Sequence, residues 1–270
     1  MLVVACIKQV PDTTQVKVDP VTGTLIREGV PFIMNPFDTH ALEESLRLKD
    51  TYGFRVAVIS MGPPNTEVTL KKALAVGADE AMLLSDRAFG GADTLATSKV
   101  LAEAIKKLAE KEEVALVVCG KQTIDGDTAQ VGPGIATRLG YQQLTLVDHI
   151  ENIDLKAKKI KVRRKLEGRH EIVESSLPVV ITVLREINHP RYPTVPMRLM
   201  AQDAQIALWD NKVMNLDVNT IGLKGSATQV RKIFSPERAK GEILGDGVND
   251  PDGAARLLMD KLTEKDIVCL

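Results

Sequence analysis

Short apolar runs alternate with longer amphipathic stretches through the first two-thirds of the chain. The apolar runs have the length of strands, and the apolar residues between them recur at helical spacing. Strands are predicted at Leu2–Ile7, Arg55–Ser60, Glu80–Ser85, Val114–Cys119 and Val179–Leu184, and helices at Asp38–Tyr52, Glu67–Val76 and Asp93–Glu110. This alternation is typical of a doubly wound, mainly parallel α/β sheet with helices on both faces.

Two departures from the alternation predict excursions from the sheet. Val16–Val18 and Thr24–Ile26 flank a turn that contains proline and glycine, which indicates a hairpin after the first strand. Leu144–Ile150 and Lys159–Leu166 could form a second excursion.

After Leu184 the regular pattern ends, and prolines and glycines punctuate the chain. A compact sheet is not expected there, which leaves a poorly ordered tail or an arm that packs on a partner. Scattered apolar residues without an obvious core of their own favour the arm: Ile206, Leu208, Trp209, Ile221, Val230, Ile233 and Phe234. A short final helix is predicted at Ala254–Leu262.

Composition narrows the classes of function. The net charge is −1 and aromatic residues make up 3% of the 270 residues, which argues against nucleic-acid binding. No segment approaches the roughly 20 apolar residues that a membrane span needs. The cysteines Cys6, Cys119 and Cys269 and the four histidines show no ligand or disulfide spacing, so we expect a cytoplasmic protein without a metal site.

The strongest local motif runs from residue 119 to residue 134, where an apolar strand stops at a polar, glycine-rich turn that opens a helix. Unpaired N–H groups at a helix N-terminus suit a phosphate, and Gly126 and Gly132 would allow close approach. Asp125 and Asp127 fit helix capping or ribose hydroxyls better than a phosphate. The spacing matches neither common phosphate-binding fingerprint, so a nucleotide site and an ordinary capped turn both remain open.

Three further segments could contribute to a site. Lys8 follows the first strand at the carboxyl end of the sheet, where open α/β folds bind ligands, although it could be a solvated charge. Asn35 or Asp38 could either cap a helix or bind a ligand. Residues 86–98 offer two glycines and hydroxyls at a helix start, or simply a loop with an Asp93 cap.

Three ordered segments resemble the β subunit of electron-transfer flavoproteins: residues 119–134, Asn35-Pro36-Phe37, and the run from Leu177-Pro178 to Pro190-Arg191-Tyr192. The resemblance covers essentially the whole chain and implies a Rossmann-like, adenine-nucleotide-binding fold. It implies cofactor binding by Cys6, Lys8, Asn35, Phe37, Asp38, Met61 and Gly62, and by Gly120, Lys121, Gln122, Thr123, Ile124, Asp125, Gly126, Asp127, Thr128, Ala129, Gln130 and Val131.

The sequence Gly90-Gly91-Ala92-Asp93-Thr94 is similar to the corresponding sequence of β subunits that carry FAD instead of AMP and bifurcate electrons. The resemblance implies that Gly90, Gly91, Ala92, Asp93, Thr94 and Thr97 lie near this FAD. It further implies hydride uptake from NADH, with one electron for the FAD of an α subunit and one for ferredoxin or flavodoxin. No catalytic side chain is expected. A structural AMP in a simple shuttle and a stand-alone nucleotide-binding module are the alternatives.

Residues 190–200 resemble the family's recognition loop for a partner dehydrogenase. The resemblance implies docking by Tyr192, Val195, Met197, Leu199 and Met200, whereas a loop folded on its own domain is the alternative. Residues 201–205 depart from the lysine-rich sequence that is common in the family at this point. The partner therefore remains open between an acyl-CoA dehydrogenase and a flavin-dependent 2-hydroxy-acid dehydrogenase. The expected division is a cofactor domain at 1–184, the recognition loop at 185–205, and an arm at 206–270 that packs on the α subunit.

Overall fold

The structure is a computed structural model that describes residues 1–12, 17–18, 25–26, 31–229 and 241–268. Two compact units divide the chain, Met1–Arg231 and Lys232–Leu270.

The first unit is built on a sheet of nine strands. The strands of the described chain are β1 Leu2–Cys6, β2 Gln9–Pro11, β3 Lys17–Val18, β4 Leu25–Ile26, β5 Phe32–Met34, β6 Arg55–Met61, β7 Glu80–Leu84, β8 Val114–Gly120, β9 Gln142–Asp154, β10 Lys159–Leu166, β11 Arg169–Ser176, β12 Val179–Val183 and β13 Ala207–Trp209. The nine-stranded order is β11-β10-β9-β12-β8-β1-β6-β7-β13. From β9 to β13 in this order every neighbouring pair is parallel, so the predicted mainly parallel α/β fold is confirmed.

Helices cover both faces of this sheet. They are α1 Pro36–Tyr52, α2 Glu67–Ala75, α3 Thr94–Ala109, α4 Val131–Leu139, α5 Val195–Asp203 and α6 Asn211–Met214, with α7 Pro251–Glu264 in the second unit. Alternate residues of β1 enter two cores: Val3 and Ala5 pack in the core that includes α1 and α2, whereas Val4 and Cys6 pack in the core that includes α3 and α4. The continuous apolar run of β1 therefore reflects burial on both faces.

The predicted excursions are present, and the second is larger than expected. Lys17–Val18 pairs antiparallel with Leu25–Ile26, while the residues of the connecting turn lie outside the described ones. In the second excursion, β9, β10 and β11 form an antiparallel extension of the sheet. The sequence analysis missed β11 because its residues, Arg-His-Glu-Ile-Val-Glu-Ser-Ser, are mostly polar.

The described residues after Leu184 form no sheet of their own, but they contribute one strand that the sequence analysis missed. β13 lies at the sheet edge and runs parallel to β7, with Ala207 opposite Met82. Trp209 and Ile221 are buried in the core on the α3 side, so they are not orphan apolar residues. A strand of three residues is too short to show a period of two. Val230, Ile233 and Phe234, which contributed to the expectation of an arm, lie outside the described residues.

The segment predicted as a recognition loop is partly helical. α5 begins after Thr194, whose hydroxyl accepts a hydrogen bond from the Met197 N–H, and Pro196 is tolerated in the first turn. α5 packs against α2. Pro196 thus lies at the start of a helix and not in a continuous loop.

The second unit contains α7, which is longer than the predicted Ala254–Leu262. The Asp250 side chain caps it by accepting from the Gly253 N–H. Its apolar residues Leu257, Leu258 and Met259 are exposed. Throughout the described parts of both units, no helix combines the length and apolar character that crossing a bilayer demands.

Candidate functional site

The order of the strands places a crevice between β1 and β8. From β1 the chain continues to β6 and β7 on one side, whereas β8 and β12 lie on the other side. Open α/β sheets bind ligands at such a reversal, outside the carboxyl ends of the strands. The residues that follow these two strand ends are Lys8 and the loop 121–130.

The loop after β8 leads into α4 without a capping side chain. Gln130 occupies the N-cap position of α4, and no described side chain accepts a hydrogen bond there. The backbone has positive φ at Asp127 (50°) and Ala129 (54°), in the left-handed region that few non-glycine residues adopt. An uncapped helix N-terminus has free N–H donors and a positive dipole end, so it suits an anionic ligand.

The two carboxylates of this loop do not cap α4. Asp125 pairs with the Lys8 ammonium at 2.6 Å, which ties the loop to the end of β1. Asp127 accepts a 2.7 Å hydrogen bond from the Gln122 side chain. Burial opposes ionisation of Asp125, but the hydrogen bonds from Lys8 and Thr123 and the charge of Lys8 together outweigh it and hold the pKa of this carboxyl below its usual range.

Glycines allow α4 to lie close to its neighbours. A Cβ at Gly132 would meet Thr182 Cγ2 of β12 at 2.5 Å, and one at Gly134 would meet Ser98 Oγ of α3 at 2.7 Å. Gly126 has no such neighbour, since the nearest atom to its Cβ position is 3.6 Å away. Gly132 is therefore required by packing, and Gly126 leaves open space on the loop.

The Asn35 side chain forms hydrogen bonds with the same loop. Asn35 precedes α1 but its side chain does not cap that helix, contrary to one of the two interpretations of the sequence. Instead its amide donates to the Gln122 carbonyl at 2.8 Å, and its side-chain oxygen accepts from the Ile124 N–H at 3.2 Å. The side chain is fully buried. The Asn35 side chain thus fixes the shape of the loop by hydrogen bonding to two backbone groups of the loop.

Asp38 joins the ends of β1 and β8 to α1. Its carboxylate accepts hydrogen bonds from the Lys8 N–H at 2.8 Å and the Gly120 N–H at 3.2 Å. Burial raises the pKa of Asp38 to about 7, and the hydrogen bonds only partly offset this. The neighbouring Phe37 ring lies 4.6 Å from the Arg185 guanidinium, a cation–π contact that the sequence did not signal.

The two sequence motifs meet at the starts of α3 and α4. Asp93 caps α3 by accepting from the Ala96 N–H at 3.0 Å, as predicted. Next to it, the Thr94 hydroxyl donates to the Gln130 side-chain oxygen at 2.9 Å. Thr97 lies one turn further along α3, where its N–H donates to the Asp93 carbonyl at 2.9 Å. The starts of α3 and α4 are therefore in direct contact.

The remaining candidates fall on two sides of the sheet. Cys6 and Met61 belong to the α3 and α4 side, whereas Phe37 and Asp38 start α1 on the other side. Gly62 follows Met61, donates its N–H to the Leu84 carbonyl at 3.1 Å, and leaves no room for a Cβ beside Thr66. Gly62 thus shapes the end of β6.

Cys6 and Cys119 lie opposite each other in the register of β1 and β8, which the sequence spacing did not reveal. Both are free and buried. A hydrogen bond with Cys119, together with burial, raises the pKa of the Cys6 thiol well above its ordinary value. The two buried thiols therefore contribute apolar packing at the ends of β1 and β8. The raised pKa keeps the Cys6 thiol protonated, so it is not a nucleophile.

Two residues far along the chain contact the motif at residues 86–98. The sequence analysis missed both of them. Ser226 and Thr228 both hydrogen-bond to Asp93 across 133 to 135 residues of sequence. Partial burial raises the pKa of Asp93, but the hydrogen bonds from Ala96, Thr228 and Ala227 together keep it below its usual range. No local pattern could have indicated a pairing over this separation.

The predicted docking residues lie in and before α5. Tyr192, Val195, Leu199 and Met200 expose between 58% and 93% of their area. Met197 is half-buried, and its methyl group lies 3.9 Å from the Cβ position of Gly77, at the end of α2. Arg191 anchors the segment to α1 through a 2.9 Å ion pair with Glu43. The four exposed residues thus present apolar side chains to solvent on α5 and on the segment that precedes it.

Comparisons with known proteins agree with this architecture. The family model described as "Electron transfer flavoprotein domain" matches residues 22–213. Protein FixA of Azotobacter vinelandii is 49% identical over 262 residues, covering 96% of this chain and 93% of its own. The electron transfer flavoprotein subunit beta of Clostridium acetobutylicum is 48% identical over 266 residues, covering 98% and 99%.

A third relative carries the name of a larger assembly. The caffeyl-CoA reductase-Etf complex subunit CarD of Acetobacterium woodii is 47% identical over 271 residues, covering 99% of this chain and 100% of its own. The family match spans most of the chain, and the relatives align from end to end. The chain therefore belongs to the electron transfer flavoprotein family, as a β-subunit member of it.

Proposed function

We propose that this chain is the β subunit of a heterodimeric electron-transfer flavoprotein that binds FAD at the joined starts of α3 and α4. The observation that carries the proposal is the 2.9 Å hydrogen bond between Thr94 and Gln130, which unites the two cofactor motifs. It brings the uncapped α4 N-terminus beside the α3 loop. The diphosphate of FAD has more acceptor oxygens than a single phosphate, and this arrangement offers two neighbouring segments to bind them.

The residues fit such a group. Free N–H donors at α4 suit a phosphate oxygen, and the open space at Gly126 admits a ligand close to the backbone. Cys6 and Met61 give an apolar surface on the same side of the sheet. Lys8, although paired with Asp125, is a cation at the crevice, and 45% of its side chain is exposed.

Bound FAD would supply the redox chemistry, taking hydride from NADH and releasing electrons to the FAD of the α subunit and to ferredoxin or flavodoxin. The residues of this chain would bind and orient it. Asn35 and Asp38 hold the loop 120–131 in place, and the Cys6 and Cys119 thiols exclude water from beneath it.

A β subunit that holds a structural AMP is the second candidate. The uncapped α4 N-terminus and the loop 120–131 alone would suffice for a single phosphate, without the α3 loop. In that case the complex would be a simple shuttle with its one FAD on the α subunit. A stand-alone nucleotide-binding module is disfavoured by the exposed apolar residues of α7, which call for a partner.

Partners follow from two surfaces. We propose that α7 and the rest of the Lys232–Leu270 unit bind the α subunit, as the arm predicted at 206–270, although residues 207–221 contribute to the core of the first unit. The apolar surface of α5 would dock a flavin-dependent dehydrogenase, of the acyl-CoA or 2-hydroxy-acid type. The name of CarD, a subunit of a caffeyl-CoA reductase-Etf complex, favours an oxidoreductase that acts on a CoA ester.

The test is a bifurcation assay on the complex of this chain with its α subunit and dehydrogenase. NADH should reduce ferredoxin or flavodoxin only when the oxidised substrate of the dehydrogenase is also present, because the two electrons leave by coupled routes. Reduction of the dehydrogenase substrate with no requirement for a low-potential acceptor would favour the simple shuttle. No oxidation of NADH under either condition would contradict the proposed donor.

A further inference from the structure

The carboxylate and the backbone N–H of Asp93 form hydrogen bonds with other residues of this chain. One carboxylate oxygen accepts from the Ala96 N–H at 3.0 Å, and the other accepts from the backbone N–H and the hydroxyl of Thr228, both at 3.0 Å. The Asp93 N–H donates to the Ser226 hydroxyl at 2.8 Å. An ionised carboxylate repels a diphosphate, so these contacts indicate a role other than holding the anionic part of a cofactor.

The segment 222–228 lies directly on the loop that precedes α3. The Leu223 N–H donates to the Gly90 carbonyl at 3.0 Å, and the Leu223 Cβ lies 3.2 Å from the Cβ position of Gly91. Gly222 has φ of 55°, and a side chain there would collide with the Ala88 carbonyl. The loop and the segment therefore fit each other without room for displacement of either alone.

Asp93 and Thr94 are consecutive and face different neighbours. Asp93 binds Ser226 and Thr228, whereas Thr94 binds Gln130 at the start of α4. Both residues begin the same helix, so a shift of the Asp93 backbone also moves the Thr94 hydroxyl. The seating of segment 222–228 is thus connected to the geometry of the candidate cofactor surface through one peptide unit.

We propose that Asp93 is a positioning residue that couples cofactor retention to the seating of segment 222–228. This inference rests on the proposed function, because it concerns the cofactor surface at Thr94 and Gln130. Segment 222–228 ends close to the boundary of the second unit, which begins at Lys232. Coupling of this kind is reciprocal: a bound cofactor stabilises the segment by the same factor by which the seated segment strengthens binding.

The test separates Asp93 from its distant partners. The double variant Ser226→Ala with Thr228→Val removes two hydroxyls that are not placed in the cofactor surface. In the complex with the α subunit, it should weaken FAD binding at this site about tenfold, as expected for the loss of two hydrogen bonds. Asp93→Asn should act in the same direction, because its amide nitrogen would face the Thr228 N–H if its oxygen keeps the Ala96 bond. Thr220→Val is the matched control, since its hydroxyl donates to the Asp217 carbonyl within the preceding turn and does not touch the loop.

Amide exchange of residues 222–228 gives the second readout. In the wild-type complex, saturating FAD should slow this exchange, and in the double variant the slowing should be smaller by the same factor as the loss of affinity. A purely structural role would change exchange equally with and without FAD. Wild-type FAD affinity in the double variant, or exchange that does not respond to FAD, would overturn the coupling alone. If the wild-type complex binds neither FAD nor AMP at this site, the proposed function and the coupling are both wrong.

Discussion

The hydroxyl of Thr94 lies 2.9 Å from the side-chain oxygen of Gln130, although 36 residues separate them. This hydrogen bond joins the first residue of α3 to the N-cap position of α4. It joins the loop that Asp93 caps at the start of α3 to the uncapped loop that leads into α4.

Replacing Thr94 by Val should weaken FAD binding about fivefold without unfolding α3. The substitution removes one hydrogen bond, while Asp93 continues to cap the helix. Retention of FAD during dialysis of the complex measures the effect. Thr137→Val is a matched control, because that hydroxyl donates to the Pro133 carbonyl within α4. Equal retention in the two variants would remove Thr94 from the cofactor surface.

Asp38 should give stability a distinct dependence on pH. Its pKa of about 7 lies above the unfolded value of 3.8, so the folded chain binds its proton more tightly. The resulting stabilisation is complete below about pH 4, is lost as pH rises towards 7, and is absent above that. Relative to Asp38→Asn, the wild-type chain should therefore lose about 2 to 4 kcal/mol between pH 4 and pH 8.

Unfolding midpoints of the wild-type and Asp38→Asn chains at a series of pH values measure this difference. The amide of the variant cannot titrate, so pH effects of other groups cancel in the comparison. A difference that stays constant from pH 4 to pH 8 would show that Asp38 is ionised throughout.

Asn35→Ala should loosen the loop 121–130 and destabilise the chain by about 2 kcal/mol. The substitution leaves the Gln122 carbonyl and the Ile124 N–H without their partner in a part-buried position. Amide exchange at residues 121–127 should rise, and nucleotide affinity should fall with it. Asn219→Ala, at an exposed position, should change neither quantity. Unchanged exchange in the loop would mean that Asn35 does not hold it.

Substituting Val195 and Leu199 together by Asp should abolish electron delivery to the partner dehydrogenase. Both side chains are exposed on α5, at 71% and 58%, so the change should not disturb folding. NADH oxidation with an artificial acceptor should remain at the wild-type rate. Ile172→Asp on β11 is the control, because Ile172 is similarly exposed at 53%. Normal delivery in the α5 variant would exclude this surface from docking.

The sequence was sufficient for the sheet because its central strands are buried on both faces. Their apolar runs at β1, β6, β8 and β12 are unmistakable, and their ends were correct to about one residue. β11 and β13 escaped prediction for opposite reasons. β11 is largely polar and exposed. β13 is only three residues long, and its position depends on its pairing with β7.

At the site, the sequence located residues but not their tasks. Asn35 and Asp38 precede or begin a helix, so capping was a natural interpretation, yet their side chains reach Gln122, Ile124 and Gly120 instead. Such bonds depend on strand order, which local spacing does not encode. The Asp93 cap, by contrast, is a contact across three residues and was predictable.

The central claim is that this chain binds FAD, and the most direct measurement counts its cofactors. The chain would be produced with its α subunit, purified as the complex, and denatured, and the released FAD and AMP would be quantified per heterodimer. The account predicts two FAD and no AMP. One FAD with one AMP would contradict it and leave a simple electron shuttle.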